Sequence, residues 1–426
     1  MRHKFLIVYI LILSLMLTGC GKTEESPIAK SGFSASVQTE GFPESRTESE
    51  GFDHASFDAA IITELLGAKP QTDPNARPTV DTDNHVIAPA NLYYTLASLV
   101  HITGGTTRHQ LLKLLGNTKI SEVENNGPSL WTNQFYRTSN AAALMGHSLW
   151  ISNSISIPES NLQRLAEESK TASYVGRPSS DNFSQSYRDW LGAMSGGLLN
   201  DSLSEVSLDK SMTIASTSSL YYKALFSQSF VTASTHQGTF YTPVTEVTAY
   251  MMHMDQTFPY HEDVTFQAAG IPLMNGATLW LLQPAENTTP AALAADPAVL
   301  SWLNDPGWDE SFLSLTFPRF DIVNNHDLMP ALQSLGVTEI FDPARADFSS
   351  LSGDIKGVGL SHISQLLRMR VFEGGIEATA FSEAGPEDTK LPEDTVQMRL
   401  NRPFRFALRD YDGTLIYVGI VNDPTR

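Results

Sequence analysis

Cysteine is almost absent: Cys20 is the only one in 426 residues. No intramolecular disulfide, thiolate zinc site or Cys–His nucleophilic pair can therefore be built in the body of the chain. Positive charge is scarce as well, with 28 Lys and Arg against 47 Asp and Glu, a formal net charge of −19. Such a surface repels phosphate backbones, which argues against nucleic acid as a partner. Motifs that carry chemistry are missing too. There is no H-E-x-x-H zinc motif, no G-x-S-x-G nucleophile elbow and no P-loop. Gly357-Val358-Gly359 lacks the third glycine of a dinucleotide fingerprint and follows no strand-then-helix pattern, so it reads as a turn. The 11 His residues are scattered. His253 and His261 sit near a predicted strand and its following loop and are assigned structural or surface roles, and Met251-Met252 is assigned to the core. The expectation is a chain with no catalytic residue, no metal and no cofactor.

Long apolar runs are confined to the N-terminus. Met1-Arg2-His3-Lys4 is positive, and Phe5 to Leu17 is almost unbroken apolar. A charged start before a run too short to span a membrane comfortably has the form of a signal peptide. The run ends Leu17-Thr18-Gly19-Cys20, which resembles a bacterial lipobox. That resemblance implies a diacylglyceryl group on Cys20 and an extracytoplasmic lipoprotein at the bacterial cell surface. Acyl chains anchor by burying methylenes, at about 0.8 kcal/mol each, so the protein would be held on a membrane without spanning it. Residues 1–19 are thus read as signal peptide. Residues 20–53, rich in Ser, Glu, Thr and Gly with isolated Phe33, Phe42 and Phe52, show no period of 2 or 3.6 and are read as a lipidated cysteine plus flexible tether.

What is present from residue 54 onward reads as one α+β domain. Phe57, Ile61, Ile62, Leu65 and Leu66 fall at helical spacing. Ala88-Pro89-Ala90-Asn91 opens a second helix with Leu92, Leu96 and Val100 on one stripe, and Pro stands near its start, where a missing N–H does no harm. Further helices are predicted around Thr107–Leu115 and Asn161–Glu168. After Met212, strands are predicted over Thr213–Lys223, Thr239–Met254, Ala277–Leu282 and Leu313–Ile322, from their aromatic and β-branched content between turn signals. Helices early and strands late indicate α+β rather than alternating βαβ units.

One segment is written like a strand but placed like a loop. From Glu373 to about Val396 the chain is mostly polar, and loops that long are uncommon unless functional or disordered. Its first half alternates. Ile376, Ala378, Ala380, Ser382 and Ala384 would fall on one face of an extended chain, and Glu377, Thr379, Phe381 and Glu383 on the other. Small and mostly apolar against mostly polar is what a strand with one buried face requires. The segment is therefore a candidate for conditional insertion into a sheet, with a disordered polar connector as the alternative.

Residues 54–426 resemble the serpin family. Glu373-Gly374-Gly375-Ile376-Glu377-Ala378-Thr379-Ala380 is similar to the family's hinge, E-E-G-T-E-A-A-A. Asn401-Arg402-Pro403-Phe404-Arg405-Phe406 and Gly419-Ile420-Val421-Asn422-Asp423-Pro424 resemble its terminal blocks, and Leu220-Tyr221-Tyr222-Lys223 its I-Y-F-K strand. Pro318-Arg319-Phe320, Asp327-Leu328, Leu335-Gly336, Phe341-Asp342 and Ala346-Asp347-Phe348-Ser349 follow the order of the family's P-K-F…D-L…L-G…F-D…A-D-F-S block. The resemblance implies three β-sheets, about nine helices and an exposed reactive-centre loop. It implies a suicide inhibitor of a serine peptidase, or of a cysteine peptidase, that traps the acyl-enzyme by inserting its cleaved loop into the large sheet. The hinge would comprise Glu373, Gly374, Gly375, Ile376, Glu377, Ala378, Thr379, Ala380, Phe381 and Ser382. The reactive bond is placed at Lys390–Leu391, which suits a trypsin-like enzyme, with Thr389–Lys390 as runner-up. A monomer is expected. The alternative is a non-inhibitory serpin acting as a binding or carrier module.

The chain departs from the family pattern at several of these positions. Ile376 replaces the usual Thr, Phe381 lies where residues are normally small, and Pro386 cannot donate to a central ladder. In the gating cluster beneath the large sheet, Ala88 and Asn91 stand for two Ser, Ser218 for Asn and Gln365 for His. A Ser218–Gln365 hydrogen bond is the expected substitute for the family's Asn–His bond. Phe226 stands for the usual Trp beside the mouth of the sheet.

Overall fold

The protein is described here by a computed structural model covering residues 34–35, 53–68, 80–353, 355–377 and 391–426. Along the chain the elements are β1 (Ser34–Ala35), α1 (Ala55–Leu66), β2 (His85–Ile87), α2 (Pro89–Ile102), α3 (Gly105–Leu114), α4 (Ile120–Asn133), β3 (Phe135–Arg137), β4 (Ala141–Ser152), α5 (Glu159–Glu168), β5 (Ala172–Gly176) and α6 (Asp181–Met194). Then come β6 (Ile214–Leu225), β7 (His236–Tyr241), β8 (Glu246–Glu262), β9 (Phe266–Pro272), β10 (Thr278–Pro284), α7 (Pro290–Ala295), α8 (Pro297–Asn304), β11 (Asp309–Pro318), β12 (Phe320–Asp327) and α9 (Met329–Ser334). The last are β13 (Leu360–Phe372), β14 (Gly375–Ile376), β15 (Val396–Arg399), β16 (Phe404–Arg409) and β17 (Leu415–Val421). The architecture is α+β, with nine α-helices among the described residues.

The large sheet runs β1-β5-β4-β6-β14-β13-β12, with β3 also on β4. A second network runs β15-β11-β8-β9-β10-β16-β17-β2, with β7 on β8. Strand β8 makes that network two sheets in one. Its first part pairs with β7 and β11, and its end, Tyr260–Glu262, turns to pair with β9. Among the described residues there are thus two hydrogen-bonded sheets, the second of which β8 spans, where the family resemblance implies three.

Local chemistry explains where the elements stop. The run predicted as one strand over Thr239–Met254 is a hairpin, because Pro243 interrupts it and Thr242 and Thr245 close a turn through Thr242 N–H to the Thr245 carbonyl at 2.8 Å. The run Leu313–Ile322 is likewise two strands, β11 and β12, broken at Arg319, whose N–H turns to the Tyr250 carbonyl. Two residues of the segment read as tether, Ser34–Ala35, add an edge strand to β5.

Helix α2 is the centre of the core. The sequence shows one apolar stripe, yet every residue from Pro89 to Ile102 is buried. A helix enclosed on all sides lies between layers, and α2 packs against β4 and β6 on one side and β17 on the other. Met251 and Met252 are both buried, since each face of β8 is covered there. The outer face of the large sheet carries a second apolar cluster under α6. Trp150 stacks on Tyr174 at 4.2 Å and meets Phe183 and Tyr187 edge-on, with Leu366 of β13 in the same cluster. Ser180 starts α6 by accepting the Phe183 N–H.

Candidate functional site

The site is the junction of β6 and β13 and the start of the predicted hinge, which sits where they part. These two strands pair directly and in parallel over most of their length, from Leu360 opposite Ile214 to Leu367 opposite Leu220. Beyond that point they part, and β14 fills the opening. Ile376 pairs with Val371 on one side and Ala224 on the other, and Gly375 with Phe372 and Leu225, antiparallel to both. Gly375–Ile376, within the predicted hinge, thus form a short central strand.

Each end of the inserted pair has an evident cause. Glu373 ties the approach: its carboxylate accepts from Arg319 Nε at 2.8 Å, from a second Arg319 nitrogen, and from Thr235 Oγ1 at 2.6 Å. Burial opposes its ionisation, but the Arg319 and Thr235 hydrogen bonds outweigh that and hold its pKa below the usual range. The Glu373 and Gly374 carbonyls accept from Phe230 and Phe226 N–H groups. Phe226, in place of the family's Trp, is buried and packs edge-on against Phe230, which meets Phe317 likewise. Gly375 has φ +141°, and a Cβ there would collide with the Ala224 carbonyl oxygen, so only glycine fits. Ile376, bulkier than the family's Thr, is fully buried in the main core.

The strand stops at Glu377. This residue has φ +51°, a left-handed conformation uncommon for a non-glycine residue, and its N–H still reaches the Arg370 carbonyl. Its carboxylate accepts from Arg370 N–H at 3.0 Å and Arg370 Nε at 2.8 Å. Burial raises its pKa, with Arg370 partly offsetting. The kink stands directly after the two-residue strand.

Under the directly paired stretch of β6 and β13 lie the residues predicted as a gating cluster, and the structure brings Ala88, Asn91 and Gln365 into contact. Gln365 Nε2 donates to Asn91 Oδ1 at 3.0 Å and to the Ala88 carbonyl at 3.1 Å, while its Oε1 accepts the Ala88 N–H at 3.1 Å. The expected Ser218–Gln365 hydrogen bond does not form, although the two are register partners. Gln365 is long enough to reach past Ser218 to the start of α2, and Ser218 Oγ donates to the Ser364 carbonyl instead. Sequence reading also missed His147. It lies opposite Ser218 on β4, is buried, and bonds Thr171 at 3.1 Å and Ser216 at 2.9 Å. Burial lowers its pKa to about 3, so it is neutral at physiological pH. Arg319, Arg370 and Thr235 were missed too: an ion pair across the sheet leaves no periodicity or spacing to read.

Other candidates have structural roles. His253 bonds Thr316 at 3.0 Å, and His261 packs against Phe266 and Trp302. Gly357 has φ +69° in the bend before β13. Of the reactive-bond candidates, Leu391 is exposed. Thr389, Lys390, the hinge positions Ala378, Thr379, Ala380, Phe381 and Ser382, and the lipidation candidate Cys20 lie outside the described residues.

Comparison with known proteins agrees with this architecture. The family model described as serpin, serine protease inhibitor, matches residues 75–424. The plasminogen activator inhibitor 1 of Sus scrofa is 27% identical over 248 residues, 55% of this chain and 60% of that protein. The chain thus matches about 60% of the length of such curated relatives. Among solved structures, the native state of the thermophilic serpin tengpin is similar with TM-score 0.77 at 18% identity, covering 89% of this chain and 97% of that one. A thyroxine-binding globulin complex with thyroxine is similar with TM-score 0.74 at 18% identity, over 87% and 99%. The family model's match over most of the chain shows that the protein belongs to the serpin family.

Proposed function

We propose that this protein is a suicide inhibitor of a serine peptidase, trypsin-like by its Lys390–Leu391 bond, with a cysteine peptidase as the second target class. The observation that carries the reading is the seating of Gly375–Ile376 as a central strand. That pairing sets a register for the rest of the segment. Extended in step, Ala378 comes opposite Met369 and Tyr222, Ala380 opposite Leu367 and Leu220, and Ser382 opposite Gln365 and Ser218. All six of those partners are buried, four in the main core and two, Gln365 and Ser218, in the proposed gating cluster, and small side chains suit the space. Phe381 comes opposite Leu366, which belongs to the apolar cluster under α6. An aromatic side chain there gains cover rather than obstructing insertion. The residues from Gly375 to Lys390 span about 50 Å as a strand, so a peptidase acylated at Lys390 would be carried to the far end of the sheet. In this reading the chain contributes bait and stored conformational energy, not a catalytic residue.

Incubation with trypsin tests the proposal. An SDS-resistant covalent complex is expected, with a released C-terminal fragment that begins at Leu391, or at Lys390 if the runner-up bond is the one cut. A panel of trypsin, chymotrypsin, elastase and papain that yields only free, cleaved chain would overturn it in favour of the non-inhibitory binding or carrier reading. The kink at Glu377, closed by Arg370, is the observation that favours that second reading.

The anchor at Cys20 is part of the same proposal and rests on Leu17-Thr18-Gly19-Cys20. No helix among the described residues is long and apolar enough to cross a membrane. Cys20→Ala is expected to leave the precursor unprocessed or to release the protein from the membrane fraction. Unchanged processing with unchanged membrane association would rule lipidation out.

A further inference from the structure

The outer face of the seam between β6 and β13 carries a short chain of hydroxyls beneath α6. Thr217 of β6 and Ser364 of β13 are register partners, and their side-chain oxygens stand 3.3 Å apart. Tyr187 of α6 closes on them, its hydroxyl 3.1 Å from Thr217 Oγ1. All three residues are buried, and Ala215 and Leu366 on the same face belong, with Tyr187, to the apolar cluster under α6. Three hydroxyls carry three protons, but the chain contains two hydrogen bonds, so one O–H has no acceptor within it. Ser219, two residues along β6 on that face, is buried as well, and its hydroxyl has no partner. Interior polar groups are ordinarily satisfied, so a surplus of donors marks a place for an acceptor.

We propose, on the reading that the cleaved loop inserts, that Tyr187, Thr217 and Ser364 receive the carboxylate of Glu383. Ile376 lies opposite Val371 and Ala224. Seven residues further in the same register, Glu383, itself outside the described residues, comes opposite Ser364 and Thr217 on the outer face. Neighbouring strands lie about 4.8 Å apart. A strand entering the seam therefore breaks the Thr217–Ser364 contact and leaves one hydroxyl on each side of position 383, with Tyr187 of α6 over both. An ionised carboxylate only accepts, and its two oxygens have room for all three donors. Hydrogen bonds to a charged acceptor are roughly twice as strong as neutral ones, which offsets the burial of the charge. The polar face of the loop is thus not all bound for solvent. Glu383 enters a covered position, and the three hydroxyls act as positioning residues that let the strand pass beneath α6 without leaving a buried charge unsatisfied.

A double-mutant cycle on the full chain, intact and nicked at Lys390, tests the assignment. Thermal midpoints are compared for the unmodified protein, Tyr187→Phe, Glu383→Ala and the double variant. In the nicked protein, Tyr187→Phe is expected to lower the midpoint by about 3 °C or more, the loss of one hydrogen bond to a charged group. In the Glu383→Ala background the same substitution should cost much less. In the intact protein the two substitutions should act additively, as distant sites do. Glu383→Gln, whose amide oxygen still accepts, should recover part of the coupling. Additive effects in the nicked protein, or equal coupling in the intact one, would overturn the assignment and leave insertion standing. A midpoint that does not rise on nicking in any of the four proteins would overturn both.

Discussion

Replacement of Ala380 by Arg is expected to abolish covalent complex formation with trypsin while leaving the loop as easily cleaved as before. Ile376 is opposite Val371 and Ala224, and two further steps along the same face bring position 380 opposite Leu367 and Leu220. Both are buried in the main core, at 0% and 2% exposure. A charge forced into that interior costs on the order of several kcal/mol even after relaxation. Since about 1.4 kcal/mol is a factor of ten in rate, insertion should slow by on the order of 100-fold or more, long enough for water to release the acyl-enzyme. The variant would then behave as a substrate. Thr379→Glu is the control: position 379 comes opposite Arg368 and Tyr221 on the outer face, where Arg368 already forks onto Asp321 at 2.9 and 2.7 Å. That variant should retain most of its complex. If Arg at position 380 leaves the complex intact, the register argued from Ile376 is wrong.

Cleavage at Lys390 is expected to raise the thermal unfolding midpoint by about 10 °C or more. The gain has a definite structural source. In the uncut protein β6 and β13 bond to each other in parallel from Ile214 to Leu220. An inserted strand replaces that single ladder with two antiparallel ones and buries its small face, a larger number of hydrogen bonds in the somewhat more favourable pairing. The first step of the exchange is already taken at Gly375 and Ile376. The next requires Glu377 to leave its left-handed conformation, while Arg370, opposite it in the extended register, can remain its partner. Differential scanning calorimetry of intact and nicked protein checks this. An unchanged or lowered midpoint after confirmed cleavage would show that the segment does not insert.

The sequence by itself determined the α+β class and the main helices, and it carries the alternation on which the proposed hinge rests, because these are local. Phe57, Ile61, Ile62 and Leu66 recur at a helical period, Pro89 marks a helix start, and a period of two from Ile376 onward needs no knowledge of the rest of the chain. It also carried the order of motifs that gave the family. It misjudged places where a local pattern is cut by a single backbone event, as at Pro243 and Arg319, where continuous apolar runs hide two strands. The tertiary structure alone decided the rest. Whether Ile376 obstructs or enters the sheet depends on the space between Val371 and Ala224, two strands distant in sequence and adjacent in the fold. The reach of Gln365 to Asn91 rather than Ser218, the presence of His147 beside them and the pairing of Glu373 with Arg319 all join positions far apart in the chain. Side-chain length and the separation of neighbouring strands settle such contacts, and neither is written in the spacing of residues along one strand.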